Sequence, residues 1–248
     1  MQTNPIRSTK KRNHPRVVIF VAASVYIMNT CFLFGVRDKI QILTNGRVYT
    51  MLNMVKGCKV HDPALLHEGY QRTETGYAAN VHAQNILPLV ERFIALQDEW
   101  VFLVLEVPTN ANDETPNKDG VVEALHMDVY YLDGLRREDA VELLHTFEEL
   151  FVHDGMSKFG IGSHSGNNEI MVNAYNVVTI YTKTPQQYWG LFESLEIAEV
   201  SQLKTAWDYF TADTPGECYR HYDRGRDIYD AVECLKGIGL YFAERREK

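Results

Sequence analysis

Apolar residues recur at helical spacing most clearly over residues 136–152. Ala140, Val141, Leu143, Leu144, Phe147, Leu150 and Phe151 make one stripe, and Glu138, Asp139, Glu142, Glu148 and Glu149 take the other face. Gly155, just beyond, fits a helix C-terminus. Strand-like runs bracket this helix. Residues 100–107 (WVFLVLEV) are continuously apolar, as expected of a central strand. Residues 125–132 (LHMDVYYL) predict the next strand. After the helix, a strand starting at Lys158, a turn at 165–168, and runs at 169–173 and 176–182 predict a β-meander over about 157–182.

The rest of the chain is read in the same way. Asn45-Gly46 between short apolar runs predicts a hairpin over 39–50. Asp62-Pro63 opens a short helix to about residue 67. Residues 69–80 (GYQRTETGYAAN) are polar and glycine-containing, and read as a loop. Asn80 is placed to cap a helix to about Gln97, with Pro88 marking a kink or a later start. Residues 108–120 (PTNANDETPNKDG) read as a long exposed loop. Further helices are expected over 184–195, 199–210 and 223–245, the last weakened by Gly237 and Gly239. Strands mixed with helices, and a meander late in the chain, give an α+β fold: a largely antiparallel sheet with packed helices and a helical C-terminus.

The N-terminus divides in two before this domain. Residues 1–16 are a basic tail carrying Arg7, Lys10, Lys11, Arg12 and Arg16. Residues 17–36 carry no charge and are long enough to cross a bilayer as a helix, with the basic flank on the cytoplasmic side. The same stretch is rich in β-branched and aromatic residues, is split by Asn29-Thr30, and reads equally as buried strands, with 31–36 the first. The protein is then either anchored in a membrane through 17–36 or cytoplasmic, and translation starts at Met1 or at Met28. Residues 37–248 form a single α+β domain.

Composition narrows the function classes. A net charge of −8 argues against non-specific binding to nucleic acid, which needs clustered Lys and Arg. The four cysteines (Cys31, Cys58, Cys218, Cys234) include no C-x-x-C pair, so a cysteine zinc site is not indicated and buried thiols are the expectation. His61-Asp62 and His67-Glu68 offer metal-ligating types, but the two histidines are six apart and do not share a helical face. No metal or cofactor is therefore expected. His126 and Asp128, at i and i+2 on a strand, fall on one face and are a candidate acid–base pair. Tyr219, Arg220, Tyr222 and Arg224 lie in CYRHYDRGRDIYD, where 3 of the chain's 14 tyrosines meet arginines. Those residue types dominate protein interfaces.

Residues 125–151 (LHMDVYYLDGLRREDAVELLHTFEELF) resemble the first motif of the two-histidine (2H) phosphoesterases: a strand carrying His-x-Thr or His-x-Ser, a glycine-containing turn, then a helix of this length. The strand at 101–107 with Pro108 fits the same pattern, and the resemblance extends over 101–182. It implies metal-free resolution of a cyclic phosphate or a 2′,5′ linkage, with His126 as one of two catalytic histidines. Asp128 stands where that family has Thr or Ser. The second motif aligns with Val177-Val178-Thr179, where Thr179 matches and Val177 replaces the histidine.

Two expectations follow. The first is an acidic binding module that acts on another macromolecule, a protein before a nucleic acid, in the manner of an inhibitor or immunity protein; its binding residues are Tyr219, Arg220, Tyr222 and Arg224. The second is a 2H-like phosphoesterase, or an inactive nucleotide-binding relative, built on His126, Asp128 and Thr179.

Overall fold

The computed structural model describes residues 32–36, 39–44, 47–110, 114 and 126–246, by backbone alone as far as residue 50. In chain order these form β1 (Phe32–Val36), β2 (Lys39–Thr44), β3 (Arg47–Thr50), β4 (Cys58–Lys59), β5 (Gly69–Thr73), β6 (Gly76–Asn80), α1 (Ala83–Ala95), β7 (Trp100–Pro108), β8 (Met127–Arg136), α2 (Arg137–His153), β9 (Lys158–Ser163), β10 (Asn168–Val172), β11 (Val177–Tyr181), α3 (Trp189–Glu193), β12 (Glu217–Cys218), α4 (Ile228–Lys236) and β13 (Tyr241–Arg246). The main sheet has eight strands in the order β13-β8-β7-β9-β10-β11-β6-β5. Every neighbouring pair in it is antiparallel. The fold is α+β, as the element pattern predicts.

Side-chain alternation explains which face the helices cover. Val101, Leu103, Leu105 and Val107 of β7 join Phe159 and Ile161 of β9 in the main core, with α1 and α2 packed over them. Ile86, Leu89, Val90, Phe93 and Ile94 of α1 are at most 1% exposed, at the spacing of one helical face. Pro88 lies inside α1 on its partly exposed side, as does Gln84, whose carbonyl loses its donor. Phe102, Val104, Val129 and Met171 cluster on the other sheet face. They lie low because β9 carries glycine beneath them. A Cβ on Gly162 would meet the Phe102 ring at 2.2 Å, and one on Gly160 would meet Met171 Sδ at 2.2 Å. A strand with core on both sides reads as an unbroken apolar run, which is why β7 was legible.

The meander β9–β11 and the helix α2 stand where the pattern puts them. β2 and β3 pair as predicted, closing at Thr44 opposite Arg47, while Asn45 and Gly46 lie outside the described residues. So do the basic tail 1–16 and residues 17–31 of the apolar segment. The last part of that segment, Phe32–Val36, is a strand paired with β2. No helix among the described residues is long and apolar enough to cross a membrane.

Five expectations are corrected. Residues 69–80 are a hairpin, β5–β6, because Tyr70, Tyr77 and Ala79 are buried and β6 pairs with β11. Gly76 makes its turn at φ +143°. Asn80 does not cap α1: its amide donates to the carbonyls of His67 and Lys204. The N-terminus of α1 is served instead by Glu68, which accepts from His82 N at 2.8 Å and from Asn85 Nδ2 at 2.9 Å. Residues 199–210 are not a helix beyond the short turn Ala206–Asp208. Their backbone goes to other partners: Tyr70 N donates to Ala198 O, Val200 N to Tyr70 O, and Leu203 N to Gln71 Oε1. The helix expected over 223–245 is only α4, capped by Asp227 and ended by Gly237 and Gly239, the latter at φ +112°. The chain beyond it becomes β13. Finally, the loop after β7 is not wholly exposed, because Glu114 is buried.

Candidate functional site

The site forms at one corner of the sheet, where β7 ends, β8 begins and β13 ends. His126 immediately precedes β8. Thr109, just past β7, fixes it twice: Thr109 N and Oγ1 donate to His126 O at 2.8 and 3.0 Å. Glu114 closes the arrangement from the connecting loop. Its Oε1 accepts from His126 N at 2.7 Å, and its Oε2 lies 2.7 Å from His126 Nδ1. The Glu114 side chain is 3% exposed and that of His126 is 40% exposed. Burial alone would raise the Glu114 pKa. The hydrogen bonds from His126 and Thr109 outweigh it and hold the carboxyl below its usual value.

An ionised carboxylate only accepts hydrogen bonds, so His126 Nδ1 carries the proton of this contact, and in a neutral ring Nε2 is the nitrogen with the lone pair. Chemically this is a carboxylate-oriented imidazole, able to take a proton or accept a hydrogen bond from a ligand. Replacing Glu114 with leucine is expected to release the tautomer: ring ¹⁵N shifts of His126 move from the Nδ1–H toward the Nε2–H form. Unchanged shifts would remove Glu114 from the role. The sign of the acid dependence follows from the lowered pKa. Stability contributed by Glu114 is present above the ordinary carboxylate range, near 4, and is lost as pH falls through its lower folded value.

Asp128 is not the partner of His126. It takes Arg245 in a two-point ion pair, Nε to Oδ1 at 2.7 Å and Nη2 to Oδ2 at 3.1 Å. Arg245 faces it because β13, expected as helix, pairs with β8 at this point. Thr179 is on β11, four strands from β8, roughly 19 Å away at about 4.8 Å per strand. Its hydroxyl accepts from Asn173 Nδ2 at 3.3 Å. Neither β7 nor β13, the neighbours of β8, carries a histidine. His164 follows β9 at the opposite end of β7, roughly 25 Å from His126 by strand rise, stacked on Phe102 and 2.9 Å from Asp133.

The four tyrosine and arginine candidates separate. Arg220 is turned inward. Its guanidinium lies 4.4 Å from the Tyr229 ring centroid and donates to Tyr229 Oη at 3.1 Å, and Nη1 lies 3.5 Å from the fully buried Asp154 carboxylate. Tyr229 Oη in turn donates to Pro108 O at 2.6 Å, so Arg220 braces the corner beside Thr109. Tyr219 lies under Lys59 Nζ at 4.8 Å. Tyr222 and Arg224 point outward, on the turn that Gly225 completes at φ +80°.

Sequence reasoning did not reach Glu114 or Arg245. Glu114 sits in a polar loop with no periodicity, and Arg245 was read as helical. Among the described residues no group of three or more His, Cys, Asp or Glu is placed to hold a metal ion. Asp62 caps the turn Pro63–Leu65 and Glu68 serves α1, so the two acids near His61 and His67 are committed elsewhere.

Comparison with family models, with curated proteins and with solved structures returned no match for this chain.

Proposed function

We propose that this protein works by binding an extended segment of another protein along β13. One observation carries the reading: the two edges of the sheet are treated differently. The β5 edge is closed by the chain itself through the hydrogen bonds of Tyr70 with Ala198 and Val200. The β13 edge has no further strand among the described residues, and all six of its residues are exposed. An open edge offers backbone donors and acceptors to an incoming strand. Tyr241 and Phe242, 48% and 51% exposed, supply aromatic surface beside it, and Ile238 adds to that surface. The arginines of β13 are neutralised by Asp128 and Glu106, so the strand offers shape and apolar contact rather than charge.

A photoreactive residue at position 242 tests this. It is expected to give a discrete protein adduct in cells, while the same residue at Trp189, more exposed than Phe242 but beside β5, gives none. Equal adducts at both positions, or none at 242, overturn the proposal.

A second reading, a 2H-like phosphoesterase or a nucleotide-binding relative, is favoured by one specific observation, the Glu114-held His126. Its activity would need an acid other than a histidine on β7 or β13, since neither strand carries one. Addition of a 2′,3′-cyclic nucleotide is expected under this reading to shift the His126 ring resonances. No shift up to millimolar ligand removes it.

A further inference from the structure

Cys58 and Cys218 are 160 positions apart in the chain and are direct partners in the β4–β12 ladder. The backbone around them defines the type of pair. Tyr219 N donates to Gly57 O at 2.7 Å, so Gly57 and Tyr219 form a hydrogen-bonded pair. The next pair in an antiparallel ladder is then the non-hydrogen-bonded one, with Cα atoms near 4.5 Å and side chains closest together. Cys58 N agrees, since it donates to Val55 O rather than across the ladder. That spacing falls inside the Cα range a disulfide requires, about 4.4–6.8 Å. A hydrogen bond with Cys218 is the largest cause raising the Cys58 pKa, followed by burial. Cys58 is 4% exposed and also accepts from Tyr175 N, whereas Cys218 is partly exposed.

The ladder holds a long strap. From Ala198 the chain closes the β5 edge, packs on the body through Ala206 and the Tyr175–Trp207–Phe210 aromatic cluster, and reaches β12 before the outward Tyr222 and Arg224. Within it, only the turn Ala206–Asp208 and the two residues of β12 are regular.

We propose that Cys58 and Cys218 are a redox pair that closes into a cross-strand disulfide in the presence of a small-molecule disulfide, fastening the strap of residues 198–227 to the body of the domain. Cys218, the accessible member, attacks first. Its thiolate displaces one thiolate from an oxidised glutathione-type disulfide and forms a mixed disulfide. Cys58, as thiolate, then attacks the Cys218 sulfur and expels the second thiolate. The protein pair loses two electrons and two protons, and the small disulfide gains them as two thiols. Burial of Cys58 disfavours its thiolate and limits its access, which makes this second step the slow one.

The experiment uses the full chain, reduced, desalted, then incubated with oxidised glutathione, quenched in acid, alkylated and digested with trypsin without reduction. The expected product is the peptide of residues 57–59 joined to that of residues 205–220, in monomeric protein. The melting temperature rises by about 10 °C and falls back on adding dithiothreitol. In Cys58→Ser the linked peptide disappears and Cys218 instead retains one glutathione. The exposed Cys234 forms only a mixed disulfide, and Cys234→Ser leaves the linkage intact. Alkylation of both Cys58 and Cys218 after oxidation overturns the proposal. So does linkage of Cys218 to Cys31 or Cys234.

Discussion

Asn176→Ala is expected to cost about 4–6 kcal/mol, enough to leave a domain of ordinary stability barely folded. Asn176 is wholly buried and ties three stretches of chain together. Its Oδ1 accepts from Val55 N at 2.9 Å, and its Nδ2 donates to Asn53 O at 2.9 Å and to Val81 O at 2.8 Å. Alanine removes all three bonds and leaves Val55 N and Val81 O without this partner in a buried setting, each at about 1–3 kcal/mol when not relaxed, while Asn53 O keeps its bond from Ala83 N at 2.9 Å. The backbone adds to this. Asn176 has φ +63°, next to Tyr175 at φ +59°, a left-handed conformation that asparagine tolerates better than alanine does. Asn176→Asp should be at least as damaging, because it turns a donor into a charged oxygen facing two carbonyls. Urea unfolding measures the difference. A loss below about 1 kcal/mol for both variants would mean that these segments are held by something other than this side chain.

The second large effect is expected at Gly155. A Cβ there would lie 1.8 Å from Gly57 O and 2.4 Å from the Gly57 carbonyl carbon, both backbone atoms that no rotamer can move. The contact is mutual, since a Cβ on Gly57 would lie 2.2 Å from Gly155 N. Relief requires the exit of α2 to part from β4, which breaks the bonds Gly155 N to Tyr219 O at 3.0 Å and Tyr219 N to Gly57 O at 2.7 Å. Gly155→Ala should therefore cost about 3 kcal/mol or more, a drop in melting temperature of about 10 °C. The sign is diagnostic. Gly155 is not among the glycines with positive φ. Local backbone reasoning alone would have alanine stabilise the protein there by about 0.4–1 kcal/mol through the unfolded state. Calorimetry on this one variant separates the two arguments. The helix exit suggested a glycine chosen for handedness, and the structure assigns it to close approach instead.

The same contrast runs through the candidate site. His126 was legible because it stands two positions before Asp128 on a predicted strand, in a segment that resembles the first 2H motif. Its partner was not. Asp128 shares a strand face with it, which is all that spacing can show. The carboxylate that reaches the imidazole is Glu114, from a loop whose composition says only that it is polar. Asp128 found Arg245 because Gly237 and Gly239 end α4 and release a strand onto β8. Of the interface candidates, Arg220 was chosen for its residue type, yet its neighbours are the buried Asp154 and the Tyr229 ring. Tyr222 and Arg224 kept an outward position because they sit on a turn, where local chemistry decides orientation.

The sequence by itself determined the elements whose signal is local: α1, α2, the central strand β7, the hairpin β2–β3 and the meander β9–β11. In α1 and α2, burial of one face imposes a repeat of 3.6 residues. β7, covered on both faces, gives an unbroken apolar run. The hairpin and the meander are marked by short apolar runs around turn residues, and all of these signals lie in consecutive positions. The tertiary structure alone decided the β5–β6 hairpin, the strap after residue 198, the terminal strand β13, the Glu114–His126 pair and the meeting of Cys58 with Cys218. In all of these the deciding partner lies elsewhere in the chain. A hydrogen bond or an ion pair between distant positions leaves no period in the sequence, and it exists only once the core has brought the two ends together.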